Sequence, residues 1–397
     1  MFKRFFSSKG EIDWSIVFVV MMLAIIGLAS IYVAATHDGT GINVSRMVIM
    51  QFIYYMLGVG IVIFIMQFDS EQLWRLSPYI FGIGVILMIG VLFFYSRAYE
   101  AQTGGKSWFA LGPVTFQPSE VMKPAFIVML ARVIAKHNFD NPIHTMESDW
   151  KLLAKIIAWT IPVVILVLLQ HDFGTMLVFL AIVFGMVIVS GISWKILGPI
   201  LVVGTIVASV TLLLVTQTWG RHLLEQVGFE AYQFDRVDSW LNPQGDTSNA
   251  GYQLWQSIKA IGSGGLAGTG FNVSHVDVPV RESDMIFAVI GENFGFIGSI
   301  VVLILYFLLI YQIFQVVYDT SNQFYAYISA GVVMMLLFHI FENIGMSIGL
   351  VPLTGIPLPF ISQGGSAIIG NMIGIGLIMS MRYHNQSFSL SNRQGFE

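Results

Sequence analysis

Three carboxylates and an arginine gather in one stretch, Val278 to Gly298, reading VPVRESDMIFAVIGENFGFIG. Arg281, Glu282 and Asp284 stand just ahead of a long apolar run, and Glu292 falls inside it. A carboxylate at the mouth of such a run is a candidate general base for a hydroxyl nucleophile. An ionisable residue within a membrane segment is costly to insert and is a functional candidate by default. Gly291, Gly295 and Gly298 follow Asp284 at helical spacing, which predicts one stripe where a neighbouring helix approaches closely.

Further charges sit in other apolar surroundings. FQPSEVMK places Pro118 in a first helical turn, with Glu120 near the positive end of the helix dipole and Lys123 one turn on. The pair reads either as an internal ion pair that neutralises two charges or as the mark of a polar cavity, and Pro124 should loosen the helix beside it. His171 to Thr175 is a tight reversal in which Asp172 either caps the next helix or lines the same cavity mouth. His339 and Glu342, three apart, can face each other and read as a hydrogen-bonded pair between helices. Ser257 to Gly270 (SIKAIGSGGLAGTG) is dense in glycine, either as flexible loop or as backbone that wraps phosphate oxygens. It lacks the Lys-Ser/Thr ending of a nucleotide loop, so no nucleotide is expected. Arg221, Arg236, Lys259 and Arg281 supply four cations around it, suited to an anionic head group such as a lipid pyrophosphate. No spacing of His, Asp or Glu supports a protein-held metal site.

The elements that must position these residues are apolar helices. Of 397 residues, 56% are hydrophobic and 11% charged, against about 25% charged in a soluble domain. Runs near 20 residues recur throughout, which predicts an all-α polytopic membrane protein forming a single domain over 1–397. Ten spans are expected, near 14–36, 47–67, 77–96, 118–136, 155–171, 173–190, 196–215, 285–314, 324–345 and 365–382. A long extracytoplasmic loop, 216–284, separates helices 7 and 8, and the end of the chain from His384 reads as a short disordered tail. Within the loop, Arg221 to Gln233 reads as an amphipathic surface segment with Leu223, Leu224, Val227 and Phe229 for lipid. Asp238 to Pro243 reads as a turn with Trp240 as its anchor. An even number of spans puts both termini on one side, and the excess of Lys and Arg there makes that side cytoplasmic. The first run is too long for a signal-peptide core and reads as a retained span. Absence of cysteine excludes disulfides and thiolate chemistry, while the net charge of −4 says nothing useful about partners. VPLTGIPLPFISQGGS, Val351 to Ser366, holds too many Pro and Gly for a straight helix and must line protein or a cavity.

In this order, GGKSWFALGPVTFQPSEVMK, QHDFGT, WLNP, GYQLWQSIKAIGSGGLAGTGF, ESDMIFAVIGENFGFIG and VPLTGIPLPFISQGGS resemble the SEDS family (shape, elongation, division and sporulation) of peptidoglycan polymerases, and most closely its rod-elongation branch. The resemblance covers the first span to about Arg382. It implies a glycosyltransferase that polymerises lipid II on the outer face of the cytoplasmic membrane. It also implies a class B penicillin-binding protein as partner and other membrane proteins of the elongation complex, with no nucleic acid. The family's essential aspartate maps to Asp284, and its cavity glutamate and lysine map to Glu120 and Lys123, so the resemblance implies these three as the catalytic residues. Lys106, Trp108, Gln117, Asp172 and Ser366, which fall within the matching motifs, join Arg221, Arg236, Lys259 and Arg281 as expected substrate-binding residues. Val280, His171, Asn293 and Gln363 depart from the family's usual residues, and Val280 removes one acidic position. The expected chemistry is inverting attack of a sugar hydroxyl on a polyprenyl-pyrophosphate-linked donor, with room for a divalent cation, Mg2+ or Mn2+, as helper. A lipid II flippase and a non-catalytic scaffold are the competing readings.

Overall fold

The computed structural model describes residues 12–394 apart from 39–42, 113, 227, 229–230, 246–249, 319 and 321. The chain begins with α1 (Trp14–Thr36), α2 (Val44–Ile65), α3 (Ser70–Phe94) and a short α4 (Arg97–Thr103). A two-stranded antiparallel hairpin follows, β1 (Phe109–Leu111) with β2 (Val114–Phe116), pairing Phe109 with Phe116. Then come α5 (Pro118–Asp140), α6 (Met146–Leu169), α7 (Phe173–Val189) and α8 (Trp194–Val215). The long loop carries α9 (Thr218–Gln226), α10 (Ala231–Leu241) and α11 (Ala250–Ser263). The chain closes with α12 (Ile286–Tyr318), α13 (Gln323–Ser347) and α14 (Gly365–Gln394). Each expected span meets one long helix, so the protein is an all-α polytopic membrane protein with a small hairpin at one face. Among the described residues, eight helices are long and apolar enough to cross a membrane by themselves; α7 is apolar but shorter, and α5 carries Glu120, Lys123, Arg132 and Lys136.

Several helices begin earlier than hydropathy suggests, because their first turns are polar and capped. A reciprocal capping box of Asp69 and Gln72 starts α3 seven residues before position 77. Thr145 caps α6 through the Ser148 N–H, nine residues ahead of position 155. At the other end, α14 continues to Gln394, where a disordered tail from His384 was expected.

The least apolar long helix is also central. Nearly every residue of α5 from Pro118 to Ala131 is buried, packed by α3, α13 and α14, so it needs no lipid-facing surface. In a bilayer, helices associate chiefly by close packing and interhelical hydrogen bonds. Methionines seat against glycines accordingly: Met122 against Gly84, Met334 against Gly185 and Met372 against Gly58. Pro124 has no N–H to give the Glu120 carbonyl, and Gly370 of α14 packs directly on that freed oxygen.

The loop differs most from expectation. Arg221 to Gln233 is not one surface segment, since α9 ends at Gln226 and α10 starts at Ala231; Val227 and Phe229 lie outside the described residues. Asp238 to Leu241 completes α10 instead of forming a turn, and Trp240 Nε1 donates to the Gly349 carbonyl beyond α13 at 2.9 Å. Ser257 to Ser263 is helical, and Gly264 and Gly268 after it pack on α12. Gly295 sits at φ 64°, ψ −158° and breaks α12. The broken backbone pairs with the glycine turn: Phe296 N–H to Gly265 O at 2.9 Å, Ile297 N–H to Leu266 O at 3.1 Å, and Thr269 N–H to Glu292 O at 2.9 Å. Gly291 and Gly295 therefore receive the α11 end and this turn, not a neighbouring membrane helix, and the run is neither loose loop nor an open phosphate cradle.

A Cβ on Gly268, whose φ is +85°, would stand 2.1 Å from the Asn293 carbonyl oxygen. Gly268→Ala is therefore expected to cost about 2–4 kcal/mol, against a neutral or slightly stabilising Gly262→Ala in open helix, as read by thermal unfolding in detergent. Equal melting temperatures for the two variants would refute the packing argument.

Candidate functional site

Asp284 stands two residues ahead of α12, in the turn that leads into it. The reversal holds because other elements fasten its backbone. Asn343 on α13 donates to both the Asp284 and Ile356 carbonyls at 2.8 Å, Ser362 Oγ donates to Ser283 O at 2.6 Å, and Gln363 N–H donates to Glu282 O at 2.9 Å. The non-helical segment 351–364 is thus one wall of the site. Its own carbonyls are satisfied from the bundle: Tyr55 donates to Phe360 O, Tyr306 to Pro359 O and Gln51 to Ser362 O. Irregular backbone at this depth survives because protein groups replace the missing water.

The Asp284 side chain is half-buried, with Oδ2 facing Gly355 so closely that a Cβ there would lie 3.3 Å away. Burial pushes its carboxyl up from 3.8 to about 7; the Glu282 carboxylate adds to the rise, while the Ser283 hydroxyl and the Arg236 guanidinium oppose it. Glu282 is likewise raised, first by burial. Arg236 also reaches toward the Thr354 carbonyl, 3.5 Å from Nη1. A carboxyl that titrates near neutrality beside a cation suits proton abstraction next to an anionic leaving group.

A second centre lies inside the bundle. Lys123 Nζ is 2.8 Å from Glu120 Oε2 and 2.9 Å from His339 Nε2, and all three side chains are almost wholly buried. Nδ1 of His339 is 2.6 Å from the Met335 carbonyl and must carry the proton, which leaves Nε2 to accept from Lys123. His339 therefore pairs with α5 and not with Glu342, whose Oε2 has no hydrogen-bond partner. His339 and Asn343 are one turn apart on α13, about 6 Å of rise, so one helix serves both centres.

The remaining expected residues divide into groups. Gln117, Asp172 and Ser366 meet: Gln117 Nε2 donates to Asp172 Oδ2 at 2.8 Å, and its N–H donates to Ser366 Oγ at 3.0 Å. Asp172 also caps α7 through the Thr175 N–H at 3.1 Å, so both of its readings coexist. Lys106 lies 3.7 Å from Glu100 and over the Tyr95 ring, while Trp108 stacks on Tyr99, all near the hairpin. Arg221 is paired with Asp238 and with the Val215 carbonyl, which joins α9 to α10 and α8. Arg281 is buried against Ser274, Asp277 and the His37 carbonyl. Lys259 is exposed, over the Trp255 ring. Of the four loop cations, Arg236 is the one placed beside Asp284. Sequence reading missed the anchoring roles of Asn343 and Ser362. The signal was the irregular segment, whose unpaired carbonyls require donors from somewhere.

Comparison with known proteins places this geometry. Residues 13–387 match the family model for FtsW, RodA and SpoVE, described as cell cycle proteins. The peptidoglycan glycosyltransferase MrdB of Escherichia coli is 32% identical over 395 residues, covering 98% of each chain. The peptidoglycan glycosyltransferase RodA of Treponema pallidum is 27% identical, over 94% of this chain and 98% of that one. Among solved structures, one described as a peptidoglycan synthase complex that coordinates polymerization and crosslinking superposes with a TM-score of 0.75 at 27% identity, covering 94% of this chain and 98% of the other. The rod shape determining protein RodA of Thermus thermophilus gives 0.64 at 27% identity, covering 94% and 97%.

Proposed function

The chain belongs to the FtsW/RodA/SpoVE (SEDS) family, and from that membership we propose that it is a peptidoglycan glycosyltransferase that polymerises lipid II during cell elongation, with Asp284 as its general base. The observation that carries the proposal is the half-buried Asp284 carboxyl, raised to about 7 and flanked by Arg236, at the end of the bundle away from the basic helix ends. Arg75, Arg132, Lys136, Lys151, Lys155, Lys195 and Arg382 lie toward those opposite ends, and the positive-inside rule supports reading them as cytoplasmic and the Asp284 end as extracytoplasmic.

In the proposed step the acceptor hydroxyl gives its proton to the Asp284 carboxylate as its oxygen bonds to the anomeric carbon of the donor. The bond from that carbon to the pyrophosphate oxygen breaks, and the pyrophosphate leaves with the electron pair. Displacement at an α-linked donor gives a β linkage. Arg236, whose guanidinium acts on the Asp284 carboxyl, is the cation assigned to the departing charge, with Lys259 as a more exposed second. Confinement of both lipid-linked substrates to one membrane plane supplies orientation before chemistry begins. Mg2+ or Mn2+ would enter with the pyrophosphate: among the described residues no three His, Asp or Glu converge to hold an ion, and no step here depends on one. A class B penicillin-binding protein, as crosslinking partner, and other elongation-complex membrane proteins complete the reading, supported by likeness to a structure described as a polymerising and crosslinking complex.

The buried Glu120–Lys123–His339 chain favours a second reading, lipid II translocation, because intramembrane charges also suit a transport path. The deciding experiment incubates the purified chain with lipid II in detergent, with and without its penicillin-binding protein, and follows glycan polymer across pH. Polymer should form, and its rate should fall as pH drops through about 7, because protonated Asp284 cannot accept the hydroxyl proton. Translocation in vesicles without polymer would transfer the assignment to the second reading.

A further inference from the structure

Glu292 has no task in the chemistry above, yet it is buried within α12, eight residues after Asp284. Its side chain turns to the loop. Oε1 accepts from the backbone N–H groups of His275 at 2.6 Å and Val276 at 3.1 Å, and Oε2 lies 3.5 Å from Ser274 Oγ. Ser274 Oγ accepts in turn from Arg281 Nη1 at 2.9 Å, and Arg281 also binds Asp277 and the carbonyl of His37 at the end of α1. The main chain of Glu292 joins the same clamp, its carbonyl accepting from Thr269 N–H at 2.9 Å and Thr269 Oγ1 at 3.0 Å.

The strap from Ser274 to Asp284 is therefore pinned to α12 at one end and tied to α1 through Arg281 before it delivers Asp284. Its turn includes Val280 at φ 53°, a conformation that a β-branched residue adopts only where the surroundings impose it. Two N–H donors converging on one carboxylate oxygen make a charge-assisted anchor, stronger than a neutral pair.

We propose that Glu292 is a positioning residue for glycosyl transfer, holding the 274–284 strap so that Asp284 is presented to the acceptor hydroxyl. This rests on Asp284 being the base. Arg281, expected from sequence to bind pyrophosphate, serves on this account as the strap's second anchor.

The test uses the full chain in lipid nanodiscs and compares wild type, Glu292→Ala, Glu292→Gln and Asp284→Ala for lipid II polymerisation and for hydrogen exchange of the segment 273–284. Misplacement of a catalytic group by about 1 Å costs about 10²-fold, so Glu292→Ala should lose about that factor in kcat with KM within about threefold. Its His275 and Val276 amides should exchange faster. Glutamine keeps an acceptor oxygen for those amides, so Glu292→Gln should stay within about threefold of wild type in kcat and retain their protection. Wild-type kcat in the alanine variant would overturn the proposal. So would a glutamine variant as inactive as alanine with its amides still protected, which would make Glu292 a chemical participant. If Glu292→Ala does not fold, Ser274→Ala carries the test. A loss of about tenfold in kcat supports the strap, and an unchanged kcat overturns it. Should Asp284→Ala polymerise normally, the base assignment fails separately, while exchange still reports whether Glu292 pins the strap.

Discussion

Asp284→Ala is expected to lower polymerisation by about 10³-fold or more while leaving the folded chain and its partner binding intact, since general-base catalysis contributes about 10²–10⁴-fold. The side chain is not what holds its own loop in place. Asn343, Ser362 and Gln363 grip backbone atoms around it, and these contacts survive truncation. Polymer formation by a mutant within tenfold of wild type would reject the assignment, and Glu282, the adjacent half-buried carboxyl, would be examined next. The isosteric change Asp284→Asn should be equally inactive and, at pH 8, more stable than wild type. The folded carboxyl is raised from 3.8 to about 7, so its contribution to stability is fully present below the unfolded value and lost as pH rises through about 7. Above that, wild type carries a half-buried charge that asparagine avoids, worth about 2 kcal/mol once partial solvent access is allowed for. Thermal unfolding should show the difference shrinking as pH falls toward 5. A constant gap would mean that this carboxyl does not titrate in that range.

The second large effect is on stability. Lys123→Met should destabilise the bundle by about 3–5 kcal/mol, because it leaves Glu120 charged, buried and without its partner. Glu120 cannot turn to water, since Gly370 of α14 packs over its backbone and side chain. Adding Glu120→Gln should restore most of the loss, as an amide in that position requires no counter-charge. The measurement is a double-mutant cycle on melting temperature in detergent. Additive losses would show that the two side chains do not act as a pair.

Much of this protein follows from one-dimensional pattern. Ten apolar runs specify ten helices because backbone groups in hydrocarbon must pair within their own segment. Asp284, Glu120 and Lys123 stood out because charge beside or within such runs is expensive, and the i, i+3 spacing of Glu120 and Lys123 is enough to join them. Asp172 as a cap was legible for the same local reason.

Contacts between distant segments were not legible. The glycines at 264, 268, 291 and 295 show only that space is needed; the fold decides that a turn after α11 fills it where α12 breaks. Four loop cations looked alike, but tertiary packing committed Arg221 to Asp238 and Arg281 to Ser274 and the end of α1, and put Arg236 beside Asp284. His339 could as well have faced Glu342 until α5 brought Lys123 to its Nε2. Spacing along one helix determines which side chains share a face, whereas the partner across the interface depends on how whole helices pack. The sequence by itself therefore determined the membrane helices, the family and the carboxylates worth testing. Only the tertiary structure decided which of those charges lie together, because a low-dielectric interior favours burying a charge beside a partner, and the partners came from other helices and from the loop.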